Sequence, residues 1–442
     1  MKKVAFYTLG CKVNQYETEA MLEMFEKKGY TNVGSEEYAD VYVINTCTVT
    51  HMSDRKSRQY IRRVKKKNPK SIIAVVGCYS QVSPEEILEI EDVNLVMGTN
   101  DRRTIVDRIE ELDSNSKLST VDDIMKVREF ESIEISQNNG KTRAFIKIQD
   151  GCDRYCTYCI IPYARGRIRS RNIDEIREEI ITLAKNGYKE VVLTGIHVAS
   201  YGKDLKEDIG ILDVIKAVND IDGIERIRLS SVEPVLFTDE FIDEICKIDK
   251  LVPHFHLSLQ SGTDSTLKRM NRRYTAAEYK RTVDTLRDRI KDVMLTTDVI
   301  VGFPGETNED FSETLRFLKE IKLMHMHVFK YSPRKGTPAA SMKDQVDPQA
   351  KQFRSDALLN LSKKNFKENT EKYIGRPLNV LFEEVDKEGY YEGLSDNYIR
   401  IKVKSDKDIR GQILEAKIVD IRDDYCIGEY YNRRYVTVKN KL

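Results

Sequence analysis

Three cysteines within eight positions carry the strongest chemical signal in this sequence. In Gly151-Cys152-Asp153-Arg154-Tyr155-Cys156-Thr157-Tyr158-Cys159 the thiols are spaced C-x3-C-x2-C, so a single loop can wrap a cube of iron and sulfide. Three ligands for four irons leave one iron open, and a small molecule can chelate there. A zinc knuckle is the competing reading. Structural zinc requires four ligands in a tetrahedron, and no fourth Cys or His lies close to this run.

Three further cysteines recur at equivalent places: Thr8-Leu9-Gly10-Cys11, Asn45-Thr46-Cys47 and Val76-Gly77-Cys78 each put a thiol directly after an apolar, β-rich run. In an open parallel sheet the carboxyl ends of the strands share one edge, where ligands usually bind. A free cysteine alone is often a small buried hydrophobe. Three at matching strand ends point instead to a second cluster with an open iron. Cys246 and Cys426 have no partner at ligand spacing and read as structural.

The elements that must position these thiols follow from periodicity. Up to about residue 100, short apolar runs at 4–7, 41–44 and 72–76 alternate with helical patterns at 15–28 and 55–67, which predicts a small open parallel α/β domain over 1–113. A polar, turn-rich stretch at 114–140 reads as a linker. Strand and helix alternation then resumes, with strands expected at 144–149, 190–193, 226–230, 254–259, 295–301 and 327–331. Six parallel strands with intervening helices predict a partial, TIM-like (β/α)6 barrel over 141–372, whose site lies at the carboxyl ends of its strands. A charged helix at 347–372 leads to short alternating strands at 378–383, 398–403, 413–418 and 435–438, a small β-barrel over 373–442.

Composition narrows the function classes. With 73 basic and 72 acidic side chains in 442 residues the net charge is +1, so any nucleic-acid footprint is local. The chain shows neither a leader nor a membrane-length apolar run, and eight scattered cysteines suit a reducing compartment, so a cytoplasmic protein is expected. The sharpest basic stripe is Arg55, Arg58, Arg62, Lys65 and Lys66, which share a helical face and begin eight residues after Cys47. Arg272 in a second basic run, and Arg433 and Arg434 in the tail, add groups suited to RNA phosphates.

In spacing and in position after the first barrel strand, the Cys152 loop resembles the signature of the radical S-adenosylmethionine superfamily. By that resemblance the open iron binds the amino and carboxylate groups of S-adenosylmethionine. Other strand ends would contact the same molecule: Gly195 and His197, Ser231 and Glu233, Gln260, Ser261 and Gly262, Asp298, Gly302 and Pro304. The glycines permit close backbone approach, and Glu233, Gln260 and Asp298 could bond its amino group and ribose hydroxyls. Each is also compatible with an ordinary turn or cap.

Two cysteine triplets together resemble the methylthiotransferase family over nearly the whole chain. The likeness extends through Tyr158-Cys159-Ile160-Ile161-Pro162-Tyr163-Ala164-Arg165-Gly166, Gln260-Ser261-Gly262 and an RNA-associated, TRAM-like tail. It implies two [4Fe-4S] clusters, S-adenosyl-L-methionine used both as methyl donor and as radical source, and a tRNA substrate. An electron donor and a sulfur source, both unidentified, and a monomeric state complete the expectation. Thr8 to Glu17 and Asn45 to Thr50 look most like the branch acting at C2 of N6-threonylcarbamoyladenosine next to the anticodon. The rival substrates are isopentenyladenosine in tRNA and a ribosomal protein side chain. A single-cluster RNA methylase and a non-catalytic iron–sulfur or RNA-binding protein are the other classes to separate.

Overall fold

Apolar residues at consecutive positions build the first sheet, because both of its faces are covered by helices. The computed structural model describes residues 2–49, 51–136 and 142–430, with backbone only at 51–53. Strands β1 (Lys3–Thr8), β2 (Thr31–Val33), β3 (Val41–Thr46), β4 (Ile72–Gly77), β5 (Leu95–Met97) and β6 (Leu118–Ser119) form one parallel sheet in the order β2-β1-β3-β4-β5-β6. Alternation sorts the side chains: Val41, Val43, Ala74 and Val76 pack against Met21 and Phe25 of α1 (Lys12–Lys27), while Tyr42, Ile44, Ile73 and Val75 pack against Tyr60, Ile61 and Val64 of α2 (His51–Lys67).

Six parallel strands follow: β7 (Arg143–Asp150), β9 (Glu190–Gly195), β10 (Arg226–Leu229), β11 (His254–His256), β12 (Met294–Val301) and β13 (His325–Lys330), with β8 (Arg169–Ser170) antiparallel beside β7. The bridges Ile227 to Leu251 and Val232 to Leu257 join β10 to the β11 segment, so the curved wall runs from β7 round to β13. Those two terminal strands do not pair, which leaves the barrel open along one side. Helix α1 packs beside β7, and its Tyr16 and Ala20 enter the barrel core with Ile146, Ile148 and Leu183. One helix thus serves two cores with two faces.

The last unit is a closed five-stranded barrel, β14 (Pro377–Val385), β15 (Tyr390–Ser395), β16 (Arg400–Lys404), β17 (Ile413–Ile421) and β18 (Cys426–Tyr430). Helix Pro348–Glu371, capped by the Asp347 carboxylate on the Gln349 and Ala350 amides, leads into it. From β10, Arg226 donates to the carbonyls of Leu394 and Asn379, and Arg228 to those of Ser395 and Asp396. These bonds seat the small barrel on the amino ends of the large one's strands.

Two local differences from the expected elements have physical causes. Strand β6 lies inside the stretch read as a linker, and Ile124, Ile133 and Ile135 of that stretch are buried; isolated apolar residues in a polar run have no periodicity to announce them. Strands β15 and β18 are additional to the expected four. Each contains a glycine, a weak strand former, and at Gly393 a Cβ would stand 2.3 Å from the Leu381 carbonyl oxygen. The expected strand at 435–438 lies outside the described residues. Among the described residues, no helix is long and apolar enough to cross a membrane.

Candidate active site

Adjacent strands bring Cys11, Cys47 and Cys78 to one edge. Thr8 pairs with Asn45 across β1 and β3, and Thr46 with Gly77 across β3 and β4, so the three thiols leave neighbouring strand ends. The buried Asn14 amide fastens this edge by donating to the Leu9 carbonyl (3.1 Å), the Thr46 carbonyl (2.9 Å) and Asn45 Oδ1 (3.2 Å). Its own Oδ1 accepts from Cys11 Sγ at 3.3 Å. Cys47 and Cys78 are buried and Cys11 is exposed.

Arg165, six residues beyond Cys159, crosses from the barrel to this edge. Its Nε stands 3.2 Å from Cys78 Sγ and its Nη2 3.2 Å from Asn14 Oδ1. The same guanidinium pairs with Glu17 of α1 at 2.5 Å. Glu17 is fully buried and also meets Lys147 at 2.9 Å and Arg102 at 3.2 Å. Burial by itself would raise this carboxyl, but Arg102, Arg165 and Lys147 outweigh it and hold it at about 2. A second buried carboxylate, Asp150, takes Lys147 at 2.6 Å and Arg165 at 3.3 Å, and it too lies far below the usual range. This buried ionic cluster fixes the first sheet to the barrel and aims a cation at Cys78.

The other triplet hangs from β7. Gly151 turns the chain with φ +72°, where a Cβ would fall 1.8 Å from the Arg167 carbonyl oxygen, so only glycine fits. Cys152 N then donates to the Gly166 carbonyl at 3.0 Å, and Cys159 N to that of Cys156 at 2.9 Å. Arg272 lies beneath, with Nη1 3.4 Å from Cys156 Sγ and 3.1 Å from Glu233. Glu233 is further held by Arg154 (2.7 Å) and His197 (3.1 Å). Burial opposes its ionisation, but the His197 bond, Arg272 and Arg154 prevail and keep it at about 2. Glu233 is therefore a fixed anion bracing the loop from below.

The Cys152 loop and the edge that carries Cys11 open on one cavity of about 580 Å³, lined by Cys11 and Lys12 on one side and by Cys152, Cys156 and Cys159 on the other, with Cys47 and Cys78 buried outside its lining. Of the strand-end residues singled out in the sequence, Gly195, His197, Ser231, Glu233 and Asp298 line it. Gln260, Ser261, Gly262, Gly302 and Pro304 are buried behind it and are not in its lining. Gln260 bridges Val299, Gly262 N donates to Thr314 Oγ1 and Gly302 N to Glu306, so these positions shape the strand ends. The cavity also holds residues that spacing did not flag: Lys12, His254, His256, His327 and Tyr398. Lys12 directly follows Cys11 and Arg165 stands six residues after Cys159, and that nearness to a cysteine is the one signal that could have found them.

The expected RNA contacts divide. Arg55, Arg62 and Lys66 are exposed along α2, whereas Arg58 is engaged by Tyr79 and Glu86 and Lys65 by the Ser71 carbonyl. Arg272 corrects an expectation: it is 6 % exposed and committed to Cys156, Glu233 and Tyr274, because the turn after helix Asp264–Arg269 folds under the cysteine loop. Arg433 and Arg434 lie outside the described residues. Cys246 is exposed and Cys426 is buried in the small barrel's core.

The radical SAM superfamily model matches residues 146–318, and the model described as uncharacterized protein family UPF0004 matches residues 3–98. A threonylcarbamoyladenosine tRNA methylthiotransferase of Bacillus subtilis (strain 168) is 43% identical over 97% of this chain and 96% of its own length. The chain belongs to the radical SAM methylthiotransferase family. A tRNA-2-methylthio-N(6)-dimethylallyladenosine synthase of Alkaliphilus oremlandii is 38% identical, covering 97% of this methylthiotransferase and 92% of the relative. Among solved structures, the radical S-adenosylmethionine methyltransferase TsrM from Kitasatospora setae shares the fold with a TM-score of 0.56 at 14% identity, over 77% of each chain.

The methylthiotransferase accordingly uses [4Fe-4S] clusters and S-adenosyl-L-methionine. The thiols present fit such groups. All six strand-end and loop cysteines are free, and each set offers three thiols, one short of the four ligands of a structural zinc, which suits a cluster with one open iron. Burial pushes Cys47 and Cys159 up to about 12 and Cys152 to about 11, so their thiolates need a bound cation.

Proposed function

We propose that this enzyme inserts sulfur and a methyl group at C2 of N6-threonylcarbamoyladenosine at position 37 of tRNA, next to the anticodon. The observation that carries the reading is the single cavity shared by Cys11 and by Cys152, Cys156 and Cys159. A radical source and a sulfur site serve one product only when a target atom can reach both. In this reading Cys152, Cys156 and Cys159 hold the cluster that chelates S-adenosylmethionine, and Cys11, Cys47 and Cys78 hold the second. When bound, these groups supply the radical that takes hydrogen from C2 and the sulfur and methyl that replace it. An external one-electron donor and a sulfur source are required.

The chain's own residues bind, orient and shield. Arg272 and Arg165 each set a guanidinium against one triplet, at Cys156 and Cys78, and offset the negative charge that thiolate and sulfide bring. Gly195, His197, Ser231 and Asp298 offer backbone and polar groups around the bound S-adenosylmethionine. Arg55, Arg62 and Lys66 on α2, together with the small barrel, contact tRNA phosphates, and the target base leaves its stack to reach the cavity. Residues 1–113, 141–372 and 373–442 act as the sulfur-site, radical and RNA-associated units. The threonylcarbamoyl branch is supported by the relative named for that activity, at 43% identity.

Mass spectrometry of tRNA nucleosides from cells lacking the gene tests the substrate. The methylthio derivative of threonylcarbamoyladenosine should vanish while its unmethylthiolated precursor accumulates. Loss of the methylthiolated isopentenyl nucleoside alone would refute the assignment.

A further inference from the structure

The cavity that Cys11 and the Cys152 loop share is also lined by polar residues of the barrel wall and of α1: Lys12, His254, Thr296, Asp298, His327 and Tyr398. Lys12 follows Cys11 at the start of α1 and enters through the open side of the barrel. Among the described residues it has neither an ion pair nor a hydrogen bond; its Nζ lies 6.0 Å from the centre of the Phe145 ring. Two of the carboxylates near it are matched by guanidinium groups, Glu190 by Arg228 at 2.7 Å and Glu383 by Arg143 at 3.3 Å, and Asp298 lies 3.2 Å from His256 Nε2. A cation without an ion pair in a cavity is a site for an anion brought in from outside.

A second observation points the same way. His254 is 4 % exposed and stacks on Tyr398 with ring centres 4.1 Å apart. Its Nε2 meets Thr296 Oγ1 at 3.1 Å, while its buried Nδ1 has no partner among the described residues. A buried ring nitrogen without a partner, in the wall of a cavity, calls for a polar ligand atom. Tyr398 reaches this wall from the small barrel, at φ +71°.

We infer that this polar part of the cavity is the subsite for the N6 substituent of the target adenosine, and that it selects a short arm bearing a carboxylate and a hydroxyl, with Lys12 pairing the carboxylate and His254 Nδ1 bonding a polar atom of the arm. The inference rests on the threonylcarbamoyl reading and adds the residues that would enforce it. An apolar arm there would leave Lys12 and His254 desolvated and unmatched, which penalises the wrong substrate as well as rewarding the right one. Lys12 is thus a specificity residue one position from a proposed cluster ligand, which couples recognition of the arm to the placement of the base between the two triplets.

Two anticodon stem-loops decide the matter, one carrying threonylcarbamoyladenosine as the free acid and one carrying its neutral carboxamide. Binding to the reconstituted holoenzyme is measured without reductant, then kcat/KM with it, for wild type, Lys12→Gln and Lys12→Arg, alongside iron content and the KM for S-adenosylmethionine. Wild type should prefer the acid by about 10- to 100-fold, the strength of a charge-assisted bond. Lys12→Gln should lose that preference in both binding and turnover, and Lys12→Arg should regain part of it. If wild type prefers the acid and Lys12→Gln keeps the preference, the inference fails while the substrate reading survives. If Lys12→Gln loses iron, or raises the KM for S-adenosylmethionine with the preference intact, Lys12 serves the cluster or the cofactor and the inference is overturned. Should wild type act on neither loop but on an isopentenyl one, the substrate reading itself is wrong.

Discussion

Replacing Glu17 by Gln should separate the first sheet from the barrel energetically without changing side-chain shape. Glu17 is wholly buried, with Arg165, Lys147 and Arg102 within 3.2 Å. A carboxyl held at about 2 instead of its ordinary 4.5 contributes about 3 kcal/mol at neutral pH, taking 1.36 kcal/mol per tenfold change in acidity. Removing one partner of a buried ion pair costs about 3–5 kcal/mol by mutational precedent, which agrees. The folded-state value is depressed, so the stabilisation is present above 4.5 and is lost as pH falls toward 2. Urea unfolding of wild-type and Glu17→Gln apoprotein should therefore show a gap of about 3 kcal/mol at pH 7 that closes on acidification. Because Arg165 links Glu17 to Cys78, reconstituted Glu17→Gln should also hold less iron than wild type. Equal stability at pH 7, or a gap that stays constant down to pH 2, would refute the view that this ionic cluster joins the two units.

Other consequences follow from the same geometry. Changing Cys11, Cys47 and Cys78 together to Ala should remove about half the iron and sulfide while S-adenosylmethionine is still cleaved under reduction; an unchanged iron count would eliminate the second cluster. Gly151→Ala places a methyl 1.8 Å from the Arg167 carbonyl oxygen, and the variant should retain the iron of the first sheet but yield no 5′-deoxyadenosine. Arg272→Met takes a cation away from Cys156 and should lower the reduction potential of the adjoining cluster, measured by redox titration followed by electron paramagnetic resonance; an unshifted potential counts against an electrostatic role. Changing Arg55, Arg62 and Lys66 to Glu should weaken tRNA binding and flatten its dependence on salt by about one in log–log slope per lost phosphate contact, whereas an unaltered slope would remove α2 from the RNA interface.

Local signals made the cysteines legible. C-x3-C-x2-C is a spacing that a single loop must satisfy, and Cys11, Cys47 and Cys78 repeat one strand-end context three times, so both triplets could be read before any fold was known. The first parallel sheet was legible because its strands, buried on both faces, are apolar at consecutive positions, and the six barrel strands because short β-rich runs, several alternating polar with apolar as in β7, β10 and β11, recur between helical periods. Strands β15 and β18 escaped because each is short and a glycine and a glutamate interrupt its apolar residues.

What the linear order determined by itself was the chemistry available: two sets of three thiols, a basic helix, and glycines at turns. Tertiary structure alone decided which charges meet. Arg165 and Cys78 are 87 positions apart, Glu17 and Arg165 are 148 apart, and Arg272 and Cys156 are 116 apart, so no local pattern relates them. Arg272 and Arg62 look alike in a charge count, yet one is sealed under a cysteine loop and the other faces solvent. The physical reason is that burial is a property of packed surfaces. A cation's partner, and hence its role, is set by which faces the hydrophobic cores bring together, and here α1 packs its Tyr16 and Ala20 into the barrel core while Lys12 lines the barrel's cavity and Glu17 meets Lys147.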